Sequence, residues 1–122
     1  MAQIVLGTLA EEIHVTDEKY LGMATALSGS VLVYASLLIE ALVDAGVHIG
    51  LPRDMAQELV IQTILGSTRT VEKTGKHPAD LRNMVTSPGG TTTEALLQLE
   101  KGRFRSLILE AVAAACKKAE RF

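Results

Sequence analysis

One run of the sequence narrows the possible folds more than any other: "VLVYASLLIEALVDAG", beginning at Val31. Its polar residues Ser36, Glu40 and Asp44 recur every four positions and every other residue is apolar or small. On a helix they form one narrow stripe and leave the remaining faces apolar, the pattern of a helix covered on most sides. The long apolar run, Val31 to Val43, is 13 residues and contains Ser36 and Glu40. A membrane span needs about 20 apolar residues, and a signal peptide would not lie mid-chain. The expectation is a helix placed in a core or at a subunit interface. A chain of 122 residues is one domain on length and is long enough to bury a core without metals or disulfides.

Composition supports close-packed helices. Apolar residues are 48% of the chain while aromatics are 3% and Trp is absent, so Leu, Val, Ile and Ala must fill any core. The chain's one cysteine, Cys116, cannot form an internal disulfide, which points to a reducing, cytoplasmic setting. A net charge of −2, with both signs spread along the chain, offers no basic face for nucleic acid and no polybasic anchor for a membrane.

Glycine and proline punctuate a chain that otherwise reads as helical. A short helical piece is expected up to about Leu9, then an extended stretch around Glu12 to Val15. Thr16 can cap a helix that runs to about Leu27 and stops at "SGS". The apolar helix follows from Val31, with Gly46 or Gly50 as its left-handed cap. Pro52 suits the first turn of a long helix that reaches about Thr74 and closes at Gly75. A short helix from Pro78 to about Met84, one from Thr92 to Lys101 stopped by Gly102, and one from Arg103 to the end complete an all-α domain of about six helices. In the last of these, Leu107, Ile108, Val112 and Ala115 are expected on the buried side, and Met23, Met55 and Met84 are expected as core fillers. So apolar a domain is expected to be an obligate oligomer.

The segment "VTSPGGTTTEALLQLE", Val85 to Glu100, carries the chemistry. Thr91 with Glu94 spells a capping box, Thr-x-x-Glu. Gly89 and Gly90 leave the backbone bare, Pro88 stiffens the approach, and Ser87, Thr91 and Thr92 add hydroxyls. Helix amides, bare backbone and hydroxyls together suit a small anion, and the lack of Lys or Arg in the loop favours a single carboxylate over a polyphosphate. The same residues also serve any tight turn that opens a helix. Elsewhere, His14, His48 and His77 have no metal-ligand spacing. His77 in "KHPADL" reads as a turn or helix-opening residue, Cys116 as a small buried hydrophobe, and Glu40 with Asp44 as the solvated edge of a packed helix.

"ATALSGS", "LLIEALVDAGVHIGLPRDMAQEL", "QTILGS" and "HPADLRNMVTSPGGTTTEALLQLEKGRFRSLILEAV", in that order, resemble the C-terminal domain of pyrroline-5-carboxylate reductases from about Val15 to Ala119. The resemblance implies an interleaved helical homodimer like the C-terminal domain of 6-phosphogluconate-dehydrogenase-type reductases, with assembly into a higher oligomer left open. It implies an enzyme that reduces 1-pyrroline-5-carboxylate to L-proline with NAD(P)H. It implies that Ser87, Thr91 and Thr92 grip the substrate carboxylate, that Gly89 and Gly90 shape the turn, and that Thr25 is a hydrogen-bond or proton-relay group.

Two departures stand against it. The family places a dinucleotide-binding domain ahead of this one, and nothing here has G-x-G-x-x-G after a strand. Residues 1–15 then read as the end of such a domain, its last helix and strand, and residues 16–122 as the dimerisation and substrate-binding domain. The family also continues "SGSGPAY" where this chain has "SGSVLVY". No cofactor or metal is therefore expected on this chain, and no reductase activity from it alone. It is expected to be a fragment or truncated reductase that keeps the fold and loses the chemistry, or half of a split enzyme with a separate dinucleotide-binding domain, or a non-enzymatic oligomerisation module.

Overall fold

In a computed structural model of the chain, residues 2–5, 12–15, 18–85 and 90–119 are described. Two short strands, β1 (Ala2–Val5) and β2 (Glu12–Val15), pair antiparallel, with Ala2 opposite Val15 and Val5 opposite Glu12. Five helices follow: α1 (Glu18–His48), α2 (Arg53–Thr74), α3 (Pro78–Val85), α4 (Thr91–Lys101) and α5 (Phe104–Ala119). The helical domain expected from the sequence is present. The strand at Glu12–Val15 matches its expectation. The helical piece expected up to Leu9 is a strand over Ala2–Val5, because Ile4 and Val5 favour extended backbone and β2 supplies a partner.

Among the described residues the helices number five against the expected six or so, because α1 does not break at Ser28-Gly29-Ser30. It runs for 31 residues. The chain's first proline is Pro52, so nothing within α1 removes a backbone donor, and a single glycine costs only about 1 kcal/mol against long flanking segments. The polar residues at the expected break are absorbed by the helix itself: the Thr25 hydroxyl donates to Leu21 O (2.8 Å) and the Ser28 hydroxyl to Thr25 O (3.4 Å). One consequence corrects the sequence estimate: continuous α1 is long and apolar enough to cross a membrane by length and composition, which the 13-residue run alone was not.

The described residues divide into two compact units. One holds the strands, α1 as far as Ser36, and the chain from Arg105 onward; the other runs from Leu37 to Phe104. The second unit contains the corner where α1 turns into α2, which closes by a set of linked local features. The Leu51 N–H donates to Gly46 O and the Gly50 N–H to Val47 O, both at 3.0 Å, with Gly50 at φ +118°. That is the paired hydrogen-bond pattern of a Schellman end, and the left-handed residue is Gly50 rather than Gly46. Gly46 has a different task. A Cβ placed there would stand 3.0 Å from Ala56 Cβ, so only glycine lets the start of α2 come this near. Pro52 lies one residue ahead of its expected place, as the N-cap of α2, and its carbonyl accepts from the Ala56 N–H (3.0 Å). Asp44 and Arg53 join the two helices by an exposed ion pair at 3.0 Å.

Gly75, at φ +66°, closes α2 as expected, its N–H bonded to Val71 O (3.1 Å). At the end of α4 the left-handed residue is Arg103 (φ +62°) rather than Gly102, so α5 starts at Phe104. Among the described side chains, the buried apolar ones are Val43 (5% exposed) and Ala56 (1%), both at the α1–α2 corner. Along α1, Leu32 is 72% exposed, Leu37 63% and Val33 62%. Met23, Met55 and Met84 are exposed too, and so are Leu107 and Ile108 on α5, while Val112, Ala115 and Cys116 are half-buried. The expected core fillers are thus surface residues of a single chain. Apolar patches on this scale mark a surface that another body covers.

Candidate functional site

Helix α4 is preceded by Gly90, whose extended backbone (φ −79°, ψ 166°) makes it the N-cap. This corrects the expected capping box. Thr91 is already the first helical residue, so Glu94 falls one position too late to reach back to the cap, and the cap residue itself has no side chain to donate or accept. The physical reason is Gly90 itself: without a side chain it turns into the helix one residue earlier than a threonine cap would. The Glu94 N–H is bonded back to Gly90 O (3.3 Å). The amides of Thr91 and Thr92 precede that bond and point out of the helix end, where the helix dipole is positive.

Thr91 and Thr92 are exposed at this end, and Gly90 is half-buried. Gly90, Thr91 and Thr92 are consecutive and therefore gathered at one helix start, with two outward amides and two hydroxyls. Such an arrangement can accept a carboxylate. Ser87 and Gly89, the other residues assigned to this site from the sequence, lie outside the described residues. Glu94, in the first turn, contributes a negative charge there and bears against a polyanion.

Thr25 belongs to the other unit. It is an exposed residue of α1 whose hydroxyl proton is committed to Leu21 O at 2.8 Å, leaving its oxygen lone pairs to accept. To donate to a ligand the hydroxyl must rotate away from that carbonyl.

Ahead of the loop, the second half of α2 and α3 flank a groove of about 550 Å³ lined by Thr70, Val71, Pro78, Leu81 and Arg82 among others. The hydroxyls of Ser67, Thr68, Thr70 and Thr74 on α2 all donate to carbonyls four residues back, so this helix satisfies its own polar side chains. Sequence reasoning missed the groove, because it arises from the turn at Gly75 and no motif signals it. His77 immediately precedes α3, as expected of a helix-opening residue, and its ring accepts the Ala79 N–H (3.0 Å). Asp44 of the polar stripe carries the ion pair to Arg53; Glu40 is exposed.

A dinucleotide needs a glycine-rich turn between a strand and a helix. Among the described residues the one passage from strand to helix is β2 to α1, which reads Val15-Thr16-Asp17-Glu18 without glycine. These residues do not fit a pyrophosphate.

Comparison with known proteins bears on the family and the fold. Residues 18–122 match the family described as pyrroline-5-carboxylate reductase dimerisation. The chain is 53% identical over 102 residues to a pyrroline-5-carboxylate reductase of Arabidopsis thaliana, covering 84% of this chain and 37% of that protein. It is 44% identical over 100 residues to pyrroline-5-carboxylate reductase 2 of Homo sapiens, covering 82% of this chain and 31% of that one. A solved Plasmodium falciparum pyrroline carboxylate reductase with NADP bound superposes with a TM-score of 0.85 at 42% identity, over 88% of this chain and 44% of that chain. The chain thus spans about a third of the length of these curated relatives.

Proposed function

From the chain's membership of the pyrroline-5-carboxylate reductase dimerisation family, we propose that it is the self-associating, substrate-holding part of such a reductase. Two copies form a homodimer in which the exposed apolar faces of α1, α2 and α5 cover one another, with further assembly open to the dimer. The observation that carries this reading is the exposure of Leu32, Val33 and Leu37 in a chain whose buried apolar side chains, among those described, are Val43 and Ala56. A bilayer is the competing cover for α1. The family match includes all of α1 and names a dimerisation domain, which favours a second copy. Light scattering of the pure chain separates the two: a dimer without detergent supports the proposal, and a chain that stays in solution only with detergent or lipid sinks it.

In this reading the Ser87–Thr92 segment holds the carboxylate of 1-pyrroline-5-carboxylate, with Ser87, Thr91 and Thr92 supplying hydroxyls, α4 its outward amides, and Gly89 and Gly90 the close approach. Thr25 is a hydrogen-bond group for the ring. NAD(P)H belongs to a dinucleotide-binding portion or partner, to which residues 1–15 lead, and the reduction to L-proline needs that partner. Sustained oxidation of NADPH by the pure chain with pyrroline-5-carboxylate would overturn this part. Calorimetric titration with L-proline tests the site directly: binding is expected, and Ser87→Ala with Thr92→Ala is expected to abolish it. The single cysteine supports a cytoplasmic location.

A second reading has its own observation. Val31, Leu32 and Val33, the residues that depart from the family's "GPA", lie within continuous α1 and are exposed, which suits an oligomerisation module without catalysis. A flat proline titration, unchanged by Val31→Gly, Leu32→Pro and Val33→Ala together, would favour it.

A further inference from the structure

Helix α3 is held at its start by a group that can be switched off. Pro78, its first residue, has no N–H, so Ala79 carries the first amide that needs an acceptor from outside the helix. That amide donates to His77 Nδ1 at 3.0 Å, while the His77 carbonyl accepts from Asp80 (2.9 Å) and Leu81 (3.4 Å). An amide can only donate, so this bond requires a lone pair on Nδ1, which the neutral ring with its proton on Nε2 supplies. The usual residues in this capping role are Ser, Thr, Asn and Asp, none of which loses its acceptor between pH 5 and 8. Imidazole does.

We propose that His77 is a proton-operated cap: the neutral ring secures the first turn of α3, and the imidazolium releases it. A proton on Nδ1 sets one N–H against another and places positive charge at the positive end of the helix dipole. The capping contribution is therefore present with the ring neutral and lost with the ring protonated. With eight residues, α3 is too short to persist on helix propensity alone, which makes its cap count for more. The charged groups that flank His77 along the chain are Arg69, Glu72 and Lys73 on α2, Lys76 in the turn, and Asp80 and Arg82 on α3. Among the described residues none forms an ion pair with His77. The cap must be tested against a variant that cannot titrate.

The last residue of α3, Val85, precedes the Ser87–Thr92 segment by two positions, so releasing α3 loosens the element that leads into that segment. This consequence for ligand binding rests on the carboxylate reading above; the cap itself does not.

The test is nitrogen-15 NMR on the full chain between pH 8 and 5. At pH 8 the His77 ring is expected as the Nε2–H tautomer. On acidification the Ala79 amide shift should follow the ring's own titration, and protection factors for Ala79, Asp80 and Leu81 should fall several-fold. His77→Asn, which caps without titrating, should keep its protection at every pH, and His77→Ala should have lost it already at pH 8. An Nδ1–H tautomer at pH 8, or an Ala79 amide indifferent to the ring, overturns the proposal on the unaltered protein. Proline titrations of the parent and the Asn variant at both pH values separate the two ideas. Weakening confined to the parent at pH 5 extends the switch to the ligand. Absence of binding at either pH counts against the carboxylate site, while the Ala79 amide still decides the cap.

Discussion

The α1–α2 corner and the middle of α1 draw on the same residue types and reach opposite ends of exposure. At the corner Val43 and Ala56 are buried; at Leu32, Val33 and Leu37 the same helix lies bare. What separates them is whether the chain returns. After His48 it reverses within four residues, through Gly50 in a left-handed conformation and Pro52 at the next cap, so α2 comes back directly onto the end of α1. Small residues then do the packing, with Ala56 filling the space over Gly46. The middle of α1 has no such local return. The difference separates apolar surface that a local reversal covers from apolar surface that a single chain leaves bare.

The comparison breaks most visibly at the bare end. Val33→Glu with Leu37→Glu puts two charges on one face of α1, since the positions are one helical turn apart. Each apolar side chain removed from an interface forfeits about 1.5–3 kcal/mol, and a two-fold interface counts every change twice. Dimer dissociation constants measured by sedimentation should rise by at least about 100-fold. No change in assembly would mean that this face is not the interface.

At the closed end, Gly46→Val should cost about 1–3 kcal/mol in urea unfolding, because its Cβ meets Ala56 at 3.0 Å with further methyls beyond. Gly46→Ala should be milder, and Ala56→Gly should restore part of the loss by clearing that contact. If Gly46→Val is silent, the corner is looser than its geometry indicates.

A smaller gain is expected at Arg103, whose left-handed backbone (φ +62°) is strained for a residue with a Cβ. Arg103→Gly should raise stability by about 1 kcal/mol in the same assay. The smallest effect belongs to the ion pair across the corner. Asp44→Ala should change stability by roughly 0.5 kcal/mol or less, and less still at high salt, since both side chains are more than half exposed. A loss several times larger would mean that charge, rather than the packing of Ala56 on Gly46, closes the corner.

Much of this was legible in the residues. Gly75 as the stop of α2, the strand at Glu12–Val15, the start of α3 at Pro78, and His77 as a helix-opening residue each follow from a local rule about φ, hydrogen-bond donors or β-branching. The continuity of α1 through Ser28-Gly29-Ser30 was not legible. Three residues that often end a helix do so only if the flanking segments fail to propagate, and here long apolar segments lie on both sides. The candidate site was legible as chemistry, in the hydroxyls and glycines of one loop. Its cap was misassigned by one residue, because the threonine pattern fits Thr91 as well as Gly90 fits the backbone.

The sequence by itself determined that the chain is helical and where α2 and α3 lie, since these depend on neighbours three or four positions apart. It also raised the expectation that α1 is covered by more than its own chain. Only the tertiary structure decided which apolar residues are covered within one chain. Burial depends on what returns to face a residue, and contact between Gly46 and Ala56 is set by a reversal of the backbone at Gly50 that no single residue's character prescribes.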